Sequence, residues 1–292
     1  MNGFAVINKG LGLSSSDVVI KCRNALSHAI NEKTKCGHMG TLDPMAEGVL
    51  IVAFGNATRL FDYLLAKEKQ YEATFTFGEA RDTVDRAGKI IATSELPKYQ
   101  RILEILPNFV GEISQVPPKY SAVNVNGRRA YDMARAGKDF KLEAKKVIIN
   151  SISVLDKTLI NDFCQDVKVS VACGGGTYIR SLCTDIASEA GVCGYMSQLT
   201  RTMCGGYSLQ DAVALSDFIK NPVENVRNVK DLLLQVMPVI ELDEKSYVKL
   251  RNGRCIDYDL EDGTYGVEYN STVCFIISVK HKKAKSVCYL QD

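Results

Sequence analysis

Residues 71–77 read Tyr-Glu-Ala-Thr-Phe-Thr-Phe, an unbroken alternation of apolar and polar side chains. A period of two puts Tyr71, Ala73, Phe75 and Phe77 on one face of an extended strand, with Glu72 and the threonines on the other. A helix could not sort these residues. The rest of the chain must supply a core for that one face.

The remaining pattern mixes both periods. Residues 4–7 and 49–54 are apolar runs that read as strands, the second of them buried. Between them, Ser14 to Ser16 offer a helix N-cap, and Val18, Val19, Cys22 and Leu26 recur at helical spacing. Leu60, Phe61, Leu64 and Leu65 predict a second helix facing a core. Residues 97–109 predict an amphipathic helix with Ile102, Leu103, Leu106 and Phe109 on one side. Residues 147–155 and 166–173 read as strands, followed by a loop of three glycines and a helix over 178–190. Strand, glycine loop and helix together suggest an anion at a helix N-terminus, but the lysine spacing of a nucleotide-hydrolase loop is absent. Pro238 marks a boundary. Beyond it come short alternating strands with turns at Gly263 and Gly266.

The 292 residues are 46% hydrophobic and 24% charged, which fits one large or two unequal globular domains. A net charge of +2 does not by itself indicate a nucleic-acid partner, so any basic surface must be local. One is evident over residues 119–146, where eight Lys and Arg face three carboxylates, a local +5. Tyr120 and Tyr131 interleave with these cations, and Asn126-Gly127 is a hairpin-turn signal. A basic, aromatic-bearing insertion suits an RNA backbone. A second basic cluster, Lys280-His281-Lys282-Lys283-Ala284-Lys285, lies near the end. No export signal and no apolar run long enough for a bilayer are expected. The ten cysteines are scattered without zinc-type pairing and read as reduced thiols of the cytosol.

The densest chemistry lies in residues 37–44, Gly-His-Met-Gly-Thr-Leu-Asp-Pro. Gly37 and Gly40 permit backbone angles or close approaches that a side chain would forbid. Pro44 biases Asp43 toward an extended conformation, so its carboxylate is expected on a loop. On local chemistry alone, such an Asp-Pro could equally be a turn in which Asp43 bonds its own backbone.

This stretch, followed by Ala46, Gly48, Val49 and Leu50, resembles the catalytic motif of the TruB family of tRNA pseudouridine synthases. Lys69-x-Tyr71 resembles the family's second motif, and Gly-Thr-Tyr-Ile-Arg-Ser-Leu, 176–182, its third. Residues 81–85 resemble a Thr-Asp-Thr-x-Asp segment, with Arg81 where threonine is usual. Tyr-Ser-Ala, 120–122, and Gly-x-x-x-Tyr, 127–131, resemble its RNA-gripping insertion, with Asn124 where lysine is usual. Leu-Thr-Arg-Thr, 199–202, resembles the Leu-x-Arg-x segment. A Lys-Pro-x-Gly loop keeps Lys9 and Gly12 but has Gly10 in the proline's place. The tail more loosely resembles a small RNA-binding module of PUA type.

The resemblance implies an α+β fold, a mixed, largely antiparallel sheet flanked by helices. It implies a catalytic domain over 1–238, with 119–146 as an RNA-binding insertion, and a short β-rich PUA-like domain over 239–292. The implied reaction is isomerisation of uridine to pseudouridine in the T-loop of tRNA, at position 55. Asp43 would be the catalytic carboxylate, as nucleophile or base, Tyr71 would pack on the target base, and Arg180 would pair with Asp43. Lys9, His38, Tyr178, Leu199, Arg128 and Arg129 would contact substrate or RNA. The implied partner is the tRNA T-arm, met by a monomer in the cytoplasm, with no cofactor, metal or membrane. The contrasting expectation is a non-catalytic tRNA-binding or tRNA-folding protein, for which the basic segments alone would suffice. A nucleoside hydrolase would have little use for the insertion.

Overall fold

The computed structural model describes residues 1–291 and divides into two compact units. One comprises residues 1–43, 48–67 and 205 onward; the other comprises 44–47 and 68–204.

In the first unit, strand Gly3–Lys9 runs antiparallel to Glu47–Phe54, with Gly3 opposite Phe54 and Lys9 opposite Gly48. Strand Cys36–His38 also lies antiparallel on Glu47–Phe54. The pair Val213–Ala214 adds to Gly3–Lys9 in parallel. Residues 49–54 are all buried, as their unbroken apolar run requires. Helix Ser15–Ala29 starts where the serines predict. Ser14 is the N-cap, its hydroxyl accepting from the Asp17 amide while the Asp17 carboxylate accepts from the Ser14 amide. Val18, Cys22 and Leu26 form its buried stripe.

The same unit holds a separate five-stranded sheet that begins at Val239, just past Pro238. Val239–Glu241 pairs in parallel with Gly263–Tyr269, and the other pairings are antiparallel. Leu250 of helix Glu244–Arg251 packs there with Val267, Phe275 and Ile277. Lys230 also reaches Glu268 of this sheet, 2.7 Å away.

In the second unit, strand Lys69–Phe77 is central. Gly194–Cys204 and Phe163–Cys173 flank it on either side, and Lys145–Ile160 and Gly111–Gln115 extend the order, all antiparallel. Burial alternates perfectly along the central strand, with Lys69, Tyr71, Ala73, Phe75 and Phe77 buried. Helices Tyr99–Ile105 and Ile179–Glu189 belong to this unit. The architecture is α+β with antiparallel strands predominating, as expected.

Three boundaries differ from the sequence pattern. The 97–109 segment is a helix only over Tyr99–Ile105, continued by a 3-10 turn over Leu106–Phe109 that starts at Pro107's doorstep. The buried stripe is Ile102, Ile105, Leu106 and Phe109, the i, i+3, i+4, i+7 spacing of a helix, and Leu103, one residue on from Ile102, is turned off that stripe and exposed. Leu65, expected toward a core, is likewise exposed. The strands Lys145–Ile160 and Phe163–Cys173 run past the apolar runs that announced them, joined by Asn161 and Asp162 at φ 48° and 67°. Positive φ at both turn residues is the type I′ geometry that matches strand twist.

None of the ten cysteines is paired among the described residues, and only Cys255 is exposed. Burial pushes the Cys22 and Cys36 thiols up to about 12 and Cys164 and Cys173 up to about 11.

Asp185, on the Ile179–Glu189 helix, has its carboxyl pushed up to about 6 by burial. A carboxyl raised above its unfolded value near 3.9 weakens the fold progressively as pH rises from about 4 to about 6, and the deficit persists above that. Asp185→Asn is expected to raise unfolding free energy near neutral pH and to lose that advantage near pH 4. Urea titrations of both proteins at the two pH values check this.

Candidate active site

The residues singled out by sequence fall into two groups, one in each unit. In the first unit, strand Cys36–His38 ends at His38, and the chain enters a loop over residues 39–43. The Met39 amide donates to the Ile51 carbonyl at 2.9 Å, tying the loop's entry to a buried strand. Gly40 has φ 136°, a conformation that favours glycine. Gly37 has no such need, since it lies in regular strand with ordinary space around it. Leu42 is buried and its backbone is bonded to Ser15. Asp43 follows, half-buried and outside any helix, as the adjoining Pro44 predicts. His38, five residues earlier, is also half-buried.

Lys9, expected to contact substrate or RNA, has a completely buried side chain. The ammonium donates to the carbonyls of Gly10, at 3.1 Å, and Leu13, at 2.7 Å. Lys9 thus braces the loop in which Gly10 replaces proline.

In the second unit, Tyr71 sits on the central strand directly opposite Arg201. Both are buried, and the Arg201 guanidinium hydrogen-bonds the Tyr71 side chain. Burial pushes the phenol up to about 12, although Arg201 acts in the opposite sense. Lys69, one strand position earlier on the same face, is also buried, and desolvation lowers its pKa. Leu199 is buried on strand Gly194–Cys204.

Arg180 lies in the first turn of helix Ile179–Glu189 and is 5% exposed. Its guanidinium donates to the carbonyls of Thr83, at 3.2 Å, and Tyr120, at 2.9 Å, and lies 3.5 Å from the Asp85 carboxylate. Asp85 also accepts from the Thr83 hydroxyl at 2.7 Å and the Ala87 amide at 3.0 Å. Between Thr83 and Asp85, Val84 has φ 55°, an outlier for a β-branched residue. Strain of this kind persists only where surrounding bonds over-determine the backbone. Here both neighbours of Val84 are held by Arg180. Gly88 closes the same turn because a side chain would strike Thr83 and Asp82. Arg81, the departure from the family pattern, is engaged locally. It donates to the Arg86 and Gly88 carbonyls and to Glu79, and covers the Tyr195 ring at 4.3 Å.

Sequence reasoning missed Asp85, which passed for an ordinary polar turn residue. Its signal was present in the quoted Asp-Thr-x-Asp pattern, but nothing local shows that the last carboxylate turns inward to an arginine 95 positions away. It also missed Gln115, whose side-chain carbonyl accepts from the Tyr178 amide at 2.8 Å. That bond uses one amide, the one at the N-cap of the Ile179–Glu189 helix. Arg128 and Arg129 are exposed on a two-residue strand, paired to residues 124–125 through a turn at Asn126 and Gly127 with φ 50° and 82°. The Asn124 side chain, where lysine is usual, accepts from the Gly127 amide and shapes this turn.

A model of the TruB family of pseudouridylate synthases, N-terminal domain, matches residues 28–179. A tRNA pseudouridine synthase B of Rhodospirillum rubrum is 39% identical over 260 residues, covering 87% of this chain and 81% of that protein. One of Clostridium acetobutylicum is 38% identical over 278 residues and covers 92% of each. Among solved structures, a chain of a Cbf5-Nop10-Gar1 complex has the same fold, with a TM-score of 0.73 at 21% identity, over 99% of this chain and 85% of that one.

Asp85→Ala leaves a buried guanidinium without this carboxylate. It is expected to cost about 3 kcal/mol of unfolding free energy in denaturant titration. Asp85→Asn, which keeps hydrogen-bonding capacity, is expected to cost less.

Proposed function

The chain belongs to the TruB family of pseudouridylate synthases, and from that premise we propose that it isomerises uridine to pseudouridine at position 55, in the T-loop of tRNA. The observation that carries this is similarity to tRNA pseudouridine synthases across 87–92% of the chain, including the stretches that hold Asp43, Tyr71 and Arg180.

The reaction breaks the glycosidic N1–C1′ bond, turns the uracil and forms a C5–C1′ bond; the proton lost from C5 is balanced by one gained at N1. It neither oxidises nor reduces the base, so acid–base and nucleophilic groups suffice. Asp43 is the reacting carboxylate, either attacking the sugar or removing a sugar proton. Carboxylates act on glycosidic bonds in related ways elsewhere. Arg180, already fixed by two carbonyls and Asp85, is the cation of the reaction centre. Tyr71 is the aromatic partner of the flipped base. Extrusion from a stack costs a few kcal/mol, and stacking on an aromatic returns about 1–3 kcal/mol. With its phenol pushed up to about 12, Tyr71 stays neutral at physiological pH and offers a hydrogen bond rather than a ready phenolate. His38, Tyr178 and Leu199 complete the surroundings of the nucleotide.

Arg128, Arg129 and the rest of the 119–146 segment grip the T-arm backbone. The sheet beginning at Val239 adds a second basic surface as a reduced PUA-like module. Lys280, Lys283 and Lys285 lie at its hairpin, while Lys282 is paired with Asp259 at 2.7 Å. A catalytic domain over 1–238 and this module together act as a monomer on cytoplasmic tRNA.

A T-arm hairpin with one target uridine is incubated with the protein, and pseudouridine is mapped by chemical labelling. Wild type is expected to convert it, and Asp43→Asn to lose turnover while binding RNA within a few-fold. Tight, salt-sensitive binding without conversion by wild type would overturn the enzymatic reading in favour of an RNA-binding protein. Tyr71 ionisation is also expected to leave the rate unchanged between about pH 7 and pH 9, three or more units below its pKa of about 12.

A further inference from the structure

We infer that Ser15 is a positioning residue for the reacting carboxylate, locking the backbone immediately before Asp43; this rests on the assignment of Asp43 above. Three serines stand at the start of the first helix, and Ser14 alone is its N-cap. Ser15 is the next residue, 3% exposed, and its hydroxyl turns away from its own helix. It donates to the Leu42 carbonyl at 2.8 Å and accepts from the Leu42 amide at 2.8 Å. A hydroxyl has one donor and two acceptor positions, so it can serve both groups at once.

The geometry of the chain makes this contact specific. The Leu42 amide belongs to the peptide plane before that residue, and its carbonyl to the plane after it, which ends on the Asp43 nitrogen. Ser15 therefore fixes the two planes that lead into Asp43. On the other side, Pro44 restricts the backbone of Asp43 itself. Asp43 is held from both directions with no bond to its carboxylate being required.

The support extends one layer further back. Leu42 is itself buried, so its amide and carbonyl cannot exchange the serine for water without cost. The residues before Ser14 are braced by the Lys9 ammonium through the Gly10 and Leu13 carbonyls. The Met39 amide ties the far end of the catalytic loop to Ile51. Gly40, at φ 136°, provides the bend between these two anchors. Ser15 thus links the first helix, through its side chain, to both backbone groups of the residue before Asp43. Reacting groups held to within a fraction of an ångström need such support, because a displacement near 1 Å costs about 100-fold in rate.

The test compares Ser15→Ala, Ser14→Ala, Ser15→Thr and Asp43→Asn on the T-arm hairpin. Ser15→Ala is expected to lower kcat about 10- to 100-fold, with KM and RNA affinity little changed. Ser14→Ala removes the helix cap but not the link; it is expected to lower Tm while keeping kcat near wild type. Ser15→Thr, which restores a hydroxyl, is expected to recover most of the rate. Wild-type kcat in Ser15→Ala, or parallel loss of kcat and Tm in both alanine variants, would overturn the inference. If Ser15→Ala does not fold, hydrogen exchange in the unaltered protein decides. A Leu42 amide protected like those of strand Glu47–Phe54 supports the link, and one exchanging at an open-loop rate overturns it. Turnover by Asp43→Asn would instead remove the premise itself, whatever Ser15 does.

Discussion

The central strand Lys69–Phe77 is hydrogen-bonded along both edges, and the second unit depends on that constraint. A strand with two neighbours cannot slip without breaking two ladders, and a one-residue slip would send its apolar face to the wrong side. The register therefore fixes which side chains meet. Tyr71 faces Arg201 across one edge, and Lys69 stands between Cys173 and Cys204. A buried phenol and two buried cations are held by a rigid lattice rather than by a loop. The aromatic group assigned to the base is consequently among the least movable in its unit.

Buried cations recur in both units, and they share a job. Taking an ammonium or guanidinium from water costs several kcal/mol unless directed partners replace the hydration. Lys9 finds carbonyls of its own loop, while Arg180 finds carbonyls of two separate segments and a carboxylate. Carbonyls at loop residues have no ladder to satisfy them, so one cation answers several at once. The planar fork of Arg180 suits three bonds in different directions. The compact ammonium of Lys9 suits two carbonyls close together. Each cation gives an irregular segment a definite shape.

Much of the framework was legible because burial and period coincide. The alternation of 71–77, the unbroken apolar run of 49–54 and the serine-capped helix each announce themselves locally. The hairpin extension over residues 156–163 did not, because cross-strand bonds rather than burial hold it, leaving no periodic trace. Leu103 misled because an apolar side chain one residue past Ile102 lies about 100° away round the helix, off the stripe that Ile102, Ile105, Leu106 and Phe109 bury. In the site, Asp43 and Tyr71 were marked by their motifs. Lys9 was marked too, but its direction was not: a lysine after a strand gives no sign of whether it turns outward to solvent or inward to carbonyls. Asp85 and Ser15 were invisible for a related reason. A carboxylate in a polar turn and a serine beside a helix cap already have sufficient local explanations. Their distinguishing partners, Arg180 and Leu42, lie 95 and 27 positions away.

The thiols give the molecule a graded chemical surface. Buried cysteines whose pKa stands near 11 or 12 carry almost no thiolate at neutral pH, and the thiolate is the reactive form. Oxidants and alkylating agents therefore meet little reactive sulfur near the loop that carries Asp43, although Cys36 lies only seven residues before it. Cys255 is different: it is exposed, just past helix Glu244–Arg251 and beside the strand Ile256–Asp257. A thiol-directed label would be drawn there first. The protein thus carries a natural attachment point on its C-terminal sheet, from which a dye could report RNA arrival without altering any residue assigned to the chemistry.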